Sequence, residues 1–110
     1  MADEVLSDVR EDLDAFCDEA REDYLGLWQI TMRANRLASS DERAREAAFA
    51  DIRALLARGV RAGNLTGDGG FAAWADQRPD AVIERIRREW AALGRAPTVN
   101  EIAWFDLPSA

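Results

Sequence analysis

Apolar residues recur every three or four positions over most of this chain. That spacing places them on one side of a helix, which is the pattern of helices that pack against a core. In the first segment, Val9, Leu13 and Phe16 belong to such a stripe. The pattern predicts four helices, over about residues 4–22, 24–37, 42–58 and 79–93.

Residues with special backbone preferences mark the ends of the last two helices. Ser39 and Glu42 have the spacing of a capping box, which would begin the third helix, and Gly59 suits the position after its last turn. Pro79 is favourable in the first turn of the fourth helix, and Gly94 is expected to end it. The linker that remains between the second and third helices is short, so these two are expected to pack as a tight pair.

Two short segments favour extended backbone. Residues 60–66 lead into a glycine-rich turn at 67–70, and residues 102–107 carry isoleucine, tryptophan and phenylalanine, which favour strands. Because an unpaired strand would leave backbone groups without partners, the two segments are expected to pair antiparallel. The prediction is one mainly helical α+β domain over residues 1–110, winged-helix-like in the order of its elements.

The segment between the turn and the fourth helix has no clear period. Phe71 and Trp74 lie there, on what we expect to be a loop or a single helical turn. Trp74 can either cap the core or stand exposed as a binding anchor, and capping is the favoured placement.

The charge of the chain belongs almost wholly to its first helix. Residues 1–23 contain ten acidic residues and two arginines, whereas the remainder contains eleven acidic residues and twelve arginines. The formal net charge of −7 is therefore local. An acidic helix of this kind is suited to a basic partner surface, with association that is fast and sensitive to salt.

The residue types that are missing exclude several kinds of catalysis. The chain has no histidine and no lysine, and its one cysteine is Cys17. Triads with histidine, zinc sites with imidazole or several thiolates, Schiff bases and phosphate-binding lysines are therefore excluded. Carboxylate or Mg²⁺-carboxylate chemistry stays open, but a solvated acidic face is the commoner reason for such a run. We expect no enzyme activity, metal or cofactor.

The first functional hypothesis is a protein-binding module. By size and charge the chain is similar to small acidic proteins that neutralise or regulate basic partners, such as immunity proteins and antitoxins. The residues assigned to the partner are Glu11, Asp14 and Asp18, which share one side of the first helix, and Trp74. The apolar stripe of this helix packs on the protein's own core or across a homodimer.

The alternative hypothesis is a DNA-binding regulator of winged-helix type. In that case the helix at 42–58 is the recognition helix, and Arg43, Arg45 and Arg53 contact DNA. The acidic balance of the chain, with a pI of about 4.5, disfavours this reading because DNA is itself an anion.

Three segments resemble a family of small, uncharacterised bacterial proteins of about this length. They are Asp23-Tyr-Leu-Gly-Leu-Trp28, Leu55-Leu-Ala-Arg-Gly-Val-Arg-Ala-Gly63 and Glu89-Trp-Ala-Ala-Leu-Gly-Arg-Ala-Pro97, the last followed by Trp104-Phe105. The resemblance covers residues 23–107 and implies a bacterial protein that stands alone, without assigning an activity or site residues. The lone cysteine and the absence of an apolar leader or membrane segment are consistent with a cytoplasmic location.

Overall fold

The fold is mixed, with four helices around an antiparallel sheet of four strands, as the α+β prediction requires. It comes from a computed structural model that describes residues 2–37, 40–98 and 101–108, apart from the side chains of residues 2–11 and Leu37. The elements in chain order are α1 (Ala2–Glu22), β1 (Leu25–Gly26), α2 (Leu27–Leu37), α3 (Asp41–Ala57), β2 (Arg61–Leu65), β3 (Phe71–Ala73), α4 (Pro79–Leu93) and β4 (Trp104–Asp106).

The predicted strand pair is confirmed and lies at the centre of the sheet. The strand order is β1-β4-β2-β3, and β2 pairs antiparallel with β4 in the register Ala62 opposite Phe105. Leu25 of β1 lies opposite Phe105 on its other side. Because paired residues share a face, these three side chains lie on one face of the sheet. All three are fully buried, so this inner face packs against the core.

The sequence did not predict β1 or β3. The second helix was expected from residue 24, but it begins at Leu27, because Leu25 pairs with Phe105 and Gly26 is a poor helix former. The expectation of a loop or helical turn at Phe71 was also wrong, because Phe71–Ala73 pairs with β2. The predicted order of elements lacks these two strands, and the winged-helix resemblance drawn from it is not confirmed.

The helix ends follow the predicted signals more closely. The fourth helix runs from Pro79 to Leu93 as predicted, and Gly94 caps it in the left-handed conformation, with φ of 71°. The third helix has Ser40 as its N-cap, whose side chain accepts a hydrogen bond from the Arg43 backbone N–H at 3.2 Å. The predicted cap residue, Ser39, lies outside the described residues.

A buried ion-pair network joins the first three helices. Arg33 of α2 is only 5% exposed, and its Nη1 donates to Asp51 of α3 at 2.7 Å while its Nε donates to Asp12 of α1 at 2.6 Å. Burial raises the pKa of Asp51, and the Arg33 guanidinium opposes that shift. Removing one member would leave a charge without its partner inside the protein.

None of the helices, as far as they are described, is both long and apolar enough to cross a membrane.

Candidate functional site

The acidic helix α1 packs one side on the core and exposes the other. Leu13, Cys17 and Ala20 are buried, as their stripe predicts, and they turn towards the sheet and α3. The acids between them consequently face solvent, because helix positions off the stripe point away from the core. From residue 12 onwards, this solvent face is described to the level of individual side chains.

The acids selected from the sequence are largely engaged within the chain itself. Asp14 accepts a hydrogen bond from Arg58 Nη1 at 2.6 Å, and that bond is the main reason why the pKa of Arg58 is raised. Asp18 pairs with Arg21, one turn along the same helix, at 3.2 Å. The side chain of Glu11 lies outside the described part of the chain. Asp14 thus holds α1 against the end of α3.

Three acids at the C-terminal end of α1 are different. Glu19, Glu22 and Asp23 are exposed, and none of them is in an ion pair among the described residues. A helix C-terminus carries the negative end of the helix dipole, so acids there are locally unfavourable. The sequence contained this signal, since three acids lie in the last turn and just beyond it, but the spacing argument favoured the middle of the helix.

Aromatic residues continue this acidic end onto the outer face of the sheet. Tyr24 directly follows Asp23, and its ring stacks on that of Phe71 with centroids 5.5 Å apart and planes 17° from parallel. The Phe71 ring lies over Gly63, where an added Cβ would come within 2.6 Å of Cζ. Glycine is therefore required beneath this ring.

A second pair of rings lies beside the first. Trp28 and Trp104 meet above Gly26, where an added Cβ would lie 2.6 Å from Trp28 Cδ1 and 3.3 Å from Trp104 Cζ3. All four rings are half-buried, and the neighbouring Leu65 is 37% exposed. We call this surface the aromatic platform; it consists of Tyr24, Trp28, Phe71 and Trp104.

Of the two placements that the sequence left open for Trp74, the structure has the buried one. Its side chain is 8% exposed, and its Nε1 donates to Asn64 Oδ1 at 2.7 Å. The Arg85 guanidinium covers the ring, with Cζ 3.8 Å from the centroid. Trp74 therefore caps the core, and its ring is not open to a partner in this conformation.

The arginines selected for DNA contact do not share one environment. Arg53 pairs with Asp80 at 2.9 Å. Arg43 is exposed, and Arg45 is half-buried with an Nε that has no hydrogen-bond partner among the described residues. Among the described residues, Arg43 is thus the exposed arginine of α3 that is not in an ion pair.

A cleft of about 730 Å³ opens beside Arg45, at the start of α3 and the ends of α2 and α4. Its charged lining is mixed, because Asp41 and Glu42 stand on the same wall as Arg45. Arg95, which also lines the cleft, is held by Glu101 at 2.6 and 2.8 Å. The lining therefore does not select a ligand of one charge.

Within the described residues, no three acidic or cysteine side chains gather as metal ligands. Comparisons of the chain with protein-family models, curated proteins and solved structures find no match. The resemblance to a bacterial family accordingly stays a prediction.

Proposed function

We propose that this protein is a non-catalytic binding module that takes a basic protein partner at the C-terminal end of α1. The observation that carries the proposal is the group of Glu19, Glu22 and Asp23, three exposed acids without ion partners among the described residues. They lie where the helix dipole makes negative charge unfavourable. A basic partner would neutralise both the side chains and the helix end.

The proposed contact surface lies nearer the C-terminal end of α1 than the residues that the sequence favoured. Asp14 is engaged with Arg58, so a partner that took Asp14 would break a contact between α1 and the end of α3. Glu19, Glu22 and Asp23 can be engaged without such a loss. Electrostatic complementarity of this kind contributes mainly to the association rate and to specificity.

The test uses two double variants with the same change of charge. Glu22→Gln with Asp23→Asn alters the proposed surface, and Glu42→Gln with Glu84→Gln alters exposed acids on α3 and α4. A labelled lysine-rich peptide is titrated by fluorescence anisotropy at several salt concentrations. We expect the first variant to bind about three- to tenfold more weakly than the wild type, and the second to bind nearly as well as the wild type.

Equal losses of affinity in the two variants would mean that binding depends only on the net charge of the protein, and the proposed surface would be wrong. Lack of binding by the wild type at low salt would also contradict the proposal. Backbone amide shifts on titration give an independent location, expected at residues 19–24 rather than at α3.

A further inference from the structure

The aromatic platform adjoins the acidic end of α1, and together they form one continuous surface. Glu22, Asp23 and Tyr24 line one shallow pocket together with Asp106, and Tyr24 stacks on Phe71. Trp104 lies on the outer face of the sheet, because it precedes the inward-facing Phe105. The other rings lie over the outward-facing Gly26 or Gly63, or stack on Phe71. Acids therefore border a set of half-buried rings.

The surface already holds one arginine of the chain in a mixed aromatic and acidic setting. Arg61 of β2 binds Asp106 of β4 with two hydrogen bonds, at 3.0 and 2.7 Å, and its Cζ lies 5.9 Å from the centroid of Phe71. A guanidinium can form the paired hydrogen bonds with its edge while its flat face contacts a ring. The platform is thus chemically compatible with guanidinium groups.

The second half of the platform has no such cation among the described contacts. Trp28 and Trp104 lie together above Gly26, and neither has a guanidinium over its ring in the described part of the chain. Tyr24 likewise has Phe71 on one face, with Asp23 and Glu22 just before it in the chain. At Tyr24, a ring and two carboxylates without ion pairs among the described residues line one pocket, so both components of an arginine site are present there.

We propose that the basic partner binds here as an extended, arginine-rich segment laid across the aromatic platform. Its guanidinium groups stack on Tyr24 and Trp104, and those at Tyr24 also pair with Glu22 and Asp23. This inference rests on the proposed function and narrows it from a basic partner to an arginine-rich one. Lysine has a compact, strongly hydrated charge and makes neither the paired hydrogen bonds nor the planar stacking.

A single-stranded nucleic acid is the other occupant that aromatic rings on a sheet can take, since bases stack on such rings. Its phosphates would have to approach Glu19, Glu22 and Asp23. Nucleic-acid surfaces of this type instead combine the rings with positive charge along the backbone path. The charge at the border therefore favours the basic peptide.

The experiment compares an arginine-rich peptide with the matched peptide in which every arginine is replaced by lysine. The wild type is expected to bind the arginine peptide about fivefold more tightly. In Tyr24→Leu with Phe71→Leu, which keeps apolar volume but removes two of the four rings, that preference is expected to fall to about twofold, because Trp104 remains, while lysine-peptide affinity persists. Tyr24→Phe keeps the ring and should keep the preference.

Cooperative thermal unfolding checks that the double variant is folded, and Tyr24→Leu alone repeats the test if it is not. Equal affinity of the wild type for the two peptides, or an arginine preference unchanged by removal of the rings, would overturn the inference. The proposed function would survive either result if Glu22→Gln with Asp23→Asn still weakened binding. Tighter binding of a single-stranded oligonucleotide than of the arginine peptide would overturn both.

Discussion

At the scale of single residues, glycine decides where the aromatic rings can lie. Gly26 and Gly63 both face outward from the sheet, and a methyl group added at either position would overlap a neighbouring ring. At Gly63 it would also overlap the backbone of β3. Glycine in a strand interior normally weakens the strand, because it has no side chain to pack and loses more entropy on folding. Here the rings take the space of the missing side chain. The two glycines are therefore part of the platform.

Gly63→Ala should destabilise the protein by about 1–3 kcal/mol, because the new Cβ would overlap the Ala72 carbonyl oxygen and lie 2.6 Å from Phe71 Cζ. The matched control is Gly67→Ala, since no atom lies within 4 Å of a Cβ built there. It should change the free energy of unfolding by less than about 0.5 kcal/mol. Urea unfolding of both variants measures the difference, and similar values would refute the close packing at Gly63.

The environment of the acidic residues of α1 could be predicted only in part from the sequence. That α1 is acidic and amphipathic follows directly from the order of residues. Which of its acids stay unpaired does not, because Asp14 meets Arg58 through a contact between residues 44 positions apart. Local spacing contains no information about such a distant partner. Glu19 and Asp14 have the same chemistry in the sequence and differ only in the fold.

At the scale of elements, ion pairs connect α1 to its neighbours in addition to its buried apolar stripe. Asp12 reaches Arg33 of α2, and Asp14 reaches Arg58 after the end of α3. Arg33 in turn is held by the buried Asp51. The buried pair between Arg33 and Asp51 is the one whose loss should affect stability most, because exposed pairs are screened by water and contribute little.

Arg33→Met should cost about 3 kcal/mol of stability, because Asp51, which is only 7% exposed, would lose its cation. Adding Asp51→Leu should restore much of the loss, since an apolar pair needs no compensating charge. Arg53→Met, which breaks the exposed pair with Asp80, should change stability little. Thermal unfolding of the set tests this. If the double variant were less stable than Arg33→Met alone, the pair would not be the source of the loss.

The elements themselves show where sequence patterns are reliable. The helix from Pro79 to Leu93 has a long apolar period with a signal at each end, and it was predicted correctly. The strand Leu25–Gly26 is too short to contain a period and exists because β4 pairs with it. Phe71–Ala73 has two alanines, which do not favour strands, and forms by pairing with β2 across the turn. The first of these missed strands depends on a distant partner, and the second on its neighbour across the turn.

At the scale of the whole molecule, most of the described arginines are held in ion pairs within the chain. Most described arginines have an acid within ion-pair distance, whereas the excess of negative charge collects on α1. The molecule therefore presents one strongly acidic end and a nearly balanced remainder. The arginines with such a partner are Arg21, Arg33, Arg53, Arg58, Arg61, Arg78, Arg85, Arg87 and Arg95.

This distribution predicts that the protein binds duplex DNA more weakly than about 10⁻⁵ M near physiological salt, because a net charge of −7 repels phosphates. The measurement is an anisotropy titration of a labelled duplex over a range of salt concentrations. Its matched variant is Arg43→Glu with Arg45→Glu, which removes the two α3 arginines that have no ion pair among the described residues. We expect the wild type and the variant to give the same flat titration. Sub-micromolar binding with a steep salt dependence, abolished in the variant, would instead make α3 a DNA-recognition helix and would replace the acidic surface of α1 as the functional site.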